Sequence, residues 1–351
     1  MQNIEKAENQ GTVEAQIFTI AARCGAGIEV SLSNWGGSIL KVLAPDRGGN
    51  FEDVVQGPDG FAGLRDDAAY MGRSVGRFAN RIAHGRFTLG ETEYQLAQNN
   101  GPNHLHGGLG GIHNEVWDVV EQSDTKIVFA LVCADGSDGY PGELTISVRY
   151  EVTEAMRLEV EYTATTTKQT PVNIVQHVYW NLTGNPAESV LDHTLQSVQA
   201  AHYLPVDADC IPLGEIASVR ETPFDFSVPK PLSVGMNSGA VQLERTHGYD
   251  HCLVFSDKVE EVALNSLTLT DPKSGRSLCM STNMPGVQLY SGNFLDGTSE
   301  GKKNGPIRVH SGVCMETQHF PDSPNQKQFP SPMLDAGETY QHLISYDFGV
   351  I

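Results

Sequence analysis

The chain has 351 residues, 39% of them hydrophobic, enough apolar material for a sizeable core without metal or disulfide staples, which excludes intrinsic disorder. Acidic side chains outnumber basic ones by 43 to 23, for a net charge of −20. Such a surface repels phosphate backbones and anionic lipid, so nucleic acid and membrane faces are excluded as partners, and the longest apolar run, Ile127 to Ala134, falls far short of the roughly 20 residues of a spanning helix.

In chain order, the opening MQNIEKAENQ has charges but no apolar run behind them, unlike a secretory signal, so a cytoplasmic location is expected. Residues 1–15 read as a loose N-terminal extension of a single domain, 1–351. Ile28, Val30 and Leu32 alternate as in a strand; 59–71 is the one stretch that looks helical. Gly72-Arg73-Ser74-Val75-Gly76 matches the nucleophile elbow of serine hydrolases, but no strand-to-helix context surrounds it, and it is read as a coincidence of turn glycines. Hairpins are predicted for Arg86–Leu89 with Tyr94–Ala97 and for Val116–Val120 with Lys126–Val132. Another pairs Leu144, Ile146, Val148 and Tyr150 with Leu158, Val160 and Tyr162 across a turn at 153–155, and a last one pairs Ser266–Thr270 with Ser277–Ser281. The 36 glycines and 18 prolines are scattered between these strands and not gathered in a block, with no linker or repeat, so packed antiparallel sheets in a large β-sandwich are expected.

Several residues carry chemistry. His104 and His106, two apart on an extended chain, share a face as metal-binding pairs do, with His113 or Glu115 as a third ligand. The favoured alternative is one structural histidine and one lining a polar pocket. His177 lies in the strand-like stretch 170–182, Glu316 in the apolar strand 312–320 with Cys314 on its face, and Asp250 before His251-Cys252. Each is either a solvent-facing group or a functional one held rigidly. The sequon Asn181-Leu182-Thr183 has no meaning without a secretory route. Cysteines 24, 133, 210, 252, 279 and 314 form no Cys-x-x-Cys pair and read as reduced thiols.

Motifs in these neighbourhoods bring a resemblance. Val75-Gly76-Arg77-Phe78-Ala79-Asn80-Arg81-Ile82-Ala83, the Asn103–Gly108 segment, the run from Asp135 to Gly142, Tyr203–Asp207, Thr222–Phe226, Pro285–Phe294 and Glu316–Asp322 are together similar to the aldose 1-epimerases, or galactose mutarotases. The resemblance runs from about residue 28 to the C-terminus with the motifs in order. It implies an all-β fold, a large antiparallel β-sandwich of the galactose mutarotase type. It further implies that Glu316 is the catalytic base and His177 the catalytic acid, that Asn80, Arg81, His106, Asp250 and Gln288 bind sugar hydroxyls, and that neither cofactor nor metal is required. The partner would be a small-molecule aldose, and the chain a monomer or homodimer. Around its acid the family usually reads Asn-His-Ser-Tyr-Phe-Asn-Leu, where this chain has Gln176, Val178 and Trp180.

Interconverting α- and β-anomers means removing the C1 hydroxyl proton while giving one to the ring oxygen, so a base and an acid must face each other across the sugar. In this reading Glu316 is ionised and His177 protonated at rest, with Asp250 keeping His177 charged. Two rivals use the same residues: a glycoside hydrolase with Asp250 and Glu316 as its carboxylates, and a sugar-binding module without catalysis.

Overall fold

Alternation of apolar and polar side chains is realised as paired strands. Leu144–Thr153 and Arg157–Thr166 bury every second residue and pair antiparallel along their whole length, from Leu144 opposite Thr166 to Thr153 opposite Arg157. A period of two puts one face of each strand in the core, and a slip of one residue would expose it. The computed structural model describes residues 14–22, 27–256, 258–260 and 265–351; residues 1–13 of the expected N-terminal extension and Cys24 lie outside the described residues.

Two large antiparallel sheets dominate. The first has nine strands in the order Asp118–Gln122, Lys126–Cys133, Leu144–Thr153, Arg157–Thr166, Tyr340–Val350, Arg276–Thr282, Asn265–Thr270, Thr194–Gln196 and Lys230–Pro231. The second has seven: Ala217–Ser218, His202–Tyr203, Asp250–Val254, Gly286–Tyr290, Val313–Gln318, Tyr179–Trp180 and Val55–Gln56. They pack as the expected sandwich around a common core. Trp180 of the second sheet sits 5.1 Å from the Tyr346 ring and 5.7 Å from the Phe348 ring of the first, and Leu253, Val287, Leu289, Val313 and Met315 share one apolar cluster with Leu267, Leu278 and Met280.

The central strands of the second sheet differ from those of the first in one respect that matters for function: Asp250–Val254, Gly286–Tyr290 and Val313–Gln318 are buried on both faces. One face meets the other sheet; the opposite face forms the floor of a cavity.

Two predicted elements are cut short. The helix expected over 59–71 ends after Gly60–Asp66, because the Asp67 carboxylate accepts hydrogen bonds from the Ala69 and Met71 amides at 3.0 and 2.8 Å and substitutes a side-chain turn for the helical ladder. The stretch 170–182 is not one strand. Thr170–Pro171, Val175–Gln176 and Tyr179–Trp180 pair with Met333–Leu334, Ser74–Val75 and both Val313–Cys314 and Val55–Gln56 respectively. His177 lies at the second of these changes of partner, held by His177 N–H to Arg73 O (2.9 Å) and Gly72 N–H to His177 O (2.8 Å).

Candidate active site

The register of the second sheet assembles half of the site. Gln288 lies directly opposite Glu316, and Tyr290 opposite both Asp250 and Cys314, which in turn faces Tyr179. With the intervening residues Leu289 and Met315 turned into the core, period-two geometry sends Asp250, Gln288, Tyr290, Cys314 and Glu316 to the other face together. The remaining wall comes from short segments with unusual backbone. Arg81–Ile82 pairs with His104–Leu105, flanked by Asn80 (φ 62°) and His106 (φ 54°), both left-handed. Asn tolerates this conformation because its short polar side chain bonds locally, here Asn80 Oδ1 accepting from Arg81 N–H at 2.8 Å.

All seven site residues implied by the resemblance line one cavity of about 480 Å³: Asn80, Arg81, His106, His177, Asp250, Gln288 and Glu316. That volume is typical of small-molecule pockets, roughly 300–1,000 Å³. Its polar groups are wired together. Gln288 Nε2 donates to Asp250 Oδ1 at 2.7 Å, Gln318 Nε2 donates to Gln288 Oε1 at 3.2 Å, and the Arg81 guanidinium lies 3.9 Å from Asp250 while donating through Nε to Asn100 Oδ1 at 3.1 Å. His106 accepts the Asn80 amide at Nδ1 (3.2 Å), so a neutral His106 carries its proton on Nε2.

His177 and Glu316 meet at 3.6 Å between Nε2 and Oε2, each about 95% or more buried. The imidazole stacks on the Tyr179 ring at 5.1 Å and 24°, lies under Tyr70 at 6.1 Å and 28°, and meets His106 edge-on at 5.3 Å. Glu316 Oε2 is buried with no hydrogen-bond partner. A buried acceptor left without a donor is costly, so this oxygen needs a reason to be kept.

Electrostatics run against the expected resting charges. Burial drives His177 down to about 4, opposed by a hydrogen bond to its own carbonyl and reinforced by the Arg73 charge. Burial, with the Asp250 carboxylate beside it, raises Glu316 well above the ordinary carboxylate range, offset in part by Arg81. The correction is therefore specific: Asp250 acts on Glu316 and does not keep His177 charged. Both shifts run toward the uncharged form of each group, imidazole and carboxyl alike.

Other sequence expectations find their places. His104 and His106 diverge because the left-handed turn at His106 breaks the extended alternation. His104 is fully buried with Nδ1 on Ala97 O and Nε2 on Tyr140 OH, both at 2.7 Å, leaving neither nitrogen for a metal, whereas His106 lines the cavity. Among the described residues one group has ligand atoms of three metal-binding types within 4.8 Å: His177, Cys314 and Glu316. Sulfur lies nearest one ring nitrogen and the carboxylate nearest the other, each at 3.6 Å. Ser74 of the elbow-like motif is buried and hydrogen-bonded to Gly37 O (2.8 Å) and Tyr162 OH (2.7 Å). Asn181 is also buried, its amide donating to three carbonyls. Gln176, Val178 and Trp180 turn away from the cavity: Val178 and Trp180 enter the core, and Gln176 Oε1 accepts from Tyr150 and Tyr162 hydroxyls at 2.7 and 2.6 Å. Sequence reasoning missed the aromatic part of the lining, Tyr70, Tyr179, Tyr290 and Phe294. The same-face spacing from His177 to Tyr179 and from Gln288 to Tyr290 could have found two of them; Tyr70 arrives through the Asp67 turn, which has no periodic signal.

Residues 18–347 match the family model described as aldose 1-epimerase. Over 325 residues the chain is 42% identical to a galactose mutarotase from Bos taurus, covering 92% of each, and over 334 residues 36% identical to an aldose 1-epimerase from Escherichia coli K12, covering 94% of each. Among solved structures it is similar to an aldose epimerase homologue from C. elegans, with a TM-score of 0.86 at 30% identity over 96% of this chain and 100% of that one. A galactose 1-epimerase from Lactobacillus acidophilus gives 0.81 at 27% identity, over 97% of this chain and 99% of the other.

Proposed function

The chain belongs to the aldose 1-epimerase family and is a mutarotase; we propose that it acts on free hexoses such as galactose and glucose, with Glu316 as base and His177 as acid. The observation that carries the assignment is the buried pair itself: an acceptor oxygen without a partner facing an imidazole nitrogen at 3.6 Å on the wall of a polar cavity.

The reaction needs His177 protonated and Glu316 ionised. Bound sugar favours that state, because the C1 hydroxyl donates to the Glu316 carboxylate and a hydrogen bond to the charged form lowers its pKa. Glu316 then takes the C1 hydroxyl proton as His177 Nε2 gives its proton to the ring oxygen, the C1–O5 bond breaks, and an open-chain aldehyde forms. Rotation about C1–C2 presents the other carbonyl face; reclosure runs both transfers in reverse, so each residue ends as it began. Arg81 and Asp250 offer a donor and an acceptor side by side, Gln288 and Asn80 supply amides, and Nε2–H of a neutral His106 is a donor, a set suited to a polyhydroxylated substrate. His177 stacked between Tyr70 and Tyr179 has little freedom to leave the reacting line.

A core common to both sheets supports a single catalytic domain. No helix among the described residues is long and apolar enough to cross a membrane, and cysteines 133, 210, 252, 279 and 314 are free thiols, which supports a reducing compartment such as the cytoplasm. Polarimetry of fresh α-galactose, α-glucose and a pentose, with and without protein, tests the function. A rate no faster than the spontaneous one for both hexoses would refute the substrate assignment, and release of aglycone from aryl glycosides would favour the hydrolase.

A further inference from the structure

The groups packed around His177 pose a question that the acid–base assignment leaves open: what fixes the proton on the imidazole. Glu316 lies at Nε2, and Tyr70, Tyr179 and His106 meet the ring by face or edge. Arg73 acts on it electrostatically, and it acts in turn on His113. On the Nδ1 side the side-chain partner is Cys314 Sγ, at 3.6 Å. Register places this sulfur deliberately: Cys314 lies between Tyr179 and Tyr290 in adjacent strands and two residues before Glu316, on the same face. We propose that Cys314 is a positioning residue whose sulfur, as an uncharged acceptor, holds the Nδ1–H of His177, so that Nε2 is the nitrogen that exchanges its proton with the sugar. The inference rests on His177 being the acid.

Three observations converge on this tautomer. Nε2 is the nitrogen that faces Glu316 and so the reacting side. Nδ1 has a polar partner of its own in Cys314 Sγ at 3.6 Å, so a proton placed there is hydrogen-bonded. The thiol itself stays protonated, because burial, with Glu316 and Asp250 beside it, raises it well above its ordinary value. An uncharged orienter suits the chemistry. A hemiacetal ring oxygen is a feeble base and calls for a strong acid, whereas a carboxylate at Nδ1 would stabilise the imidazolium and weaken it. Through the cycle Nδ1–H stays on sulfur while Nε2 gives up its proton at opening and recovers it at closure.

The test combines imidazole 15N NMR of the full-length, sugar-free protein with polarimetric kinetics of α-galactose. At neutral pH the wild type should show His177 protonated on Nδ1 and bare on Nε2. Cys314→Ser, which keeps an uncharged acceptor, should keep both tautomer and turnover. Cys314→Ala should show mixed tautomers and a kcat lower by roughly 3- to 10-fold with KM unchanged, the value of one weak hydrogen bond. Cys314→Asp should shift the acid limb of the pH profile upward by about 1 pH unit or more. A wild-type Nε2–H tautomer, or a folded Cys314→Ala with unchanged tautomer and kcat, would overturn the proposal. If the alanine variant fails to fold, the wild-type spectrum and the serine variant decide. Near-normal turnover by His177→Asn would instead remove the acid assignment, and this inference with it, whereas the spectrum alone can overturn the role of Cys314 and leave the acid in place.

Discussion

Replacing Glu316 with Gln separates catalysis from stability, because the proposed base needs a carboxyl that its buried site disfavours. Gln preserves the shape and the place opposite Gln288 but cannot accept a proton, so the anomerisation rate should fall by about 10²–10⁴ while galactose still binds. The same residue is 3% exposed, has one oxygen unpartnered, and its pKa is raised by burial and by Asp250. For a carboxyl raised on folding the sign is fixed: its contribution is neutral below the unfolded pKa and grows increasingly unfavourable as pH rises towards the folded one, each unit of displacement being worth about 1.4 kcal/mol. An uncharged side chain removes that penalty. Glu316→Gln should therefore be more stable than wild type by on the order of 1 kcal/mol at pH 8, with the difference shrinking near pH 4. Polarimetry against the spontaneous rate and urea denaturation at both pH values measure the two effects. Near-normal anomerisation would refute the base; a variant less stable at pH 8 than at pH 4, relative to wild type, would refute the electrostatic reading of the pair.

His177→Asn should also lose most turnover, and because both groups act in one step the His177→Asn/Glu316→Gln double variant should be hardly slower than either alone; additive losses in polarimetry would show that they work independently. Arg81→Ala removes contacts made in ground and transition states alike, so KM for galactose should rise as kcat/KM falls, and an unchanged KM would argue against its role in binding. In the free enzyme the pair is active with one proton, so kcat/KM should stay level through neutrality, fall below about pH 4 as His177 takes a second proton, and fall on the alkaline side as Glu316 ionises. An acid limb near neutrality would contradict the reversed order. Gln176→Leu removes the hydrogen bonds that Oε1 accepts from the Tyr150 and Tyr162 hydroxyls and the one that Nε2 donates to Gly72 O, so denaturant titration should show a loss of about 1–3 kcal/mol, while the ratio of galactose to glucose rates, set by the groups that line the cavity, should not change.

The sequence made the long strands legible because period two is written into pairs such as Leu144–Thr153 and Arg157–Thr166, and the same period brought Glu316, Gln288 and Asp250 to one face once the register was known. What it hid depended on partners rather than on pattern. The helix after Asp59 stops because one carboxylate captures two amides, and the stretch around His177 breaks because each pair of residues finds a different neighbour. His104 and His106 separate through a single left-handed residue. Motif resemblance named His177 and Glu316, which the fold places side by side, while the burial that pushes both toward their uncharged forms has no signal in the motifs. Both groups sit on or beside a sheet closed on its far side by a second sheet and on its near side by the loops of Tyr70, Asn80 and His106. In that setting an ion pair costs more than a neutral pair holding the same proton. If Glu316 is the base and His177 the acid, charge separation between them has to wait for a hydroxyl that stabilises the carboxylate, and binding the sugar would be the event that arms the acid.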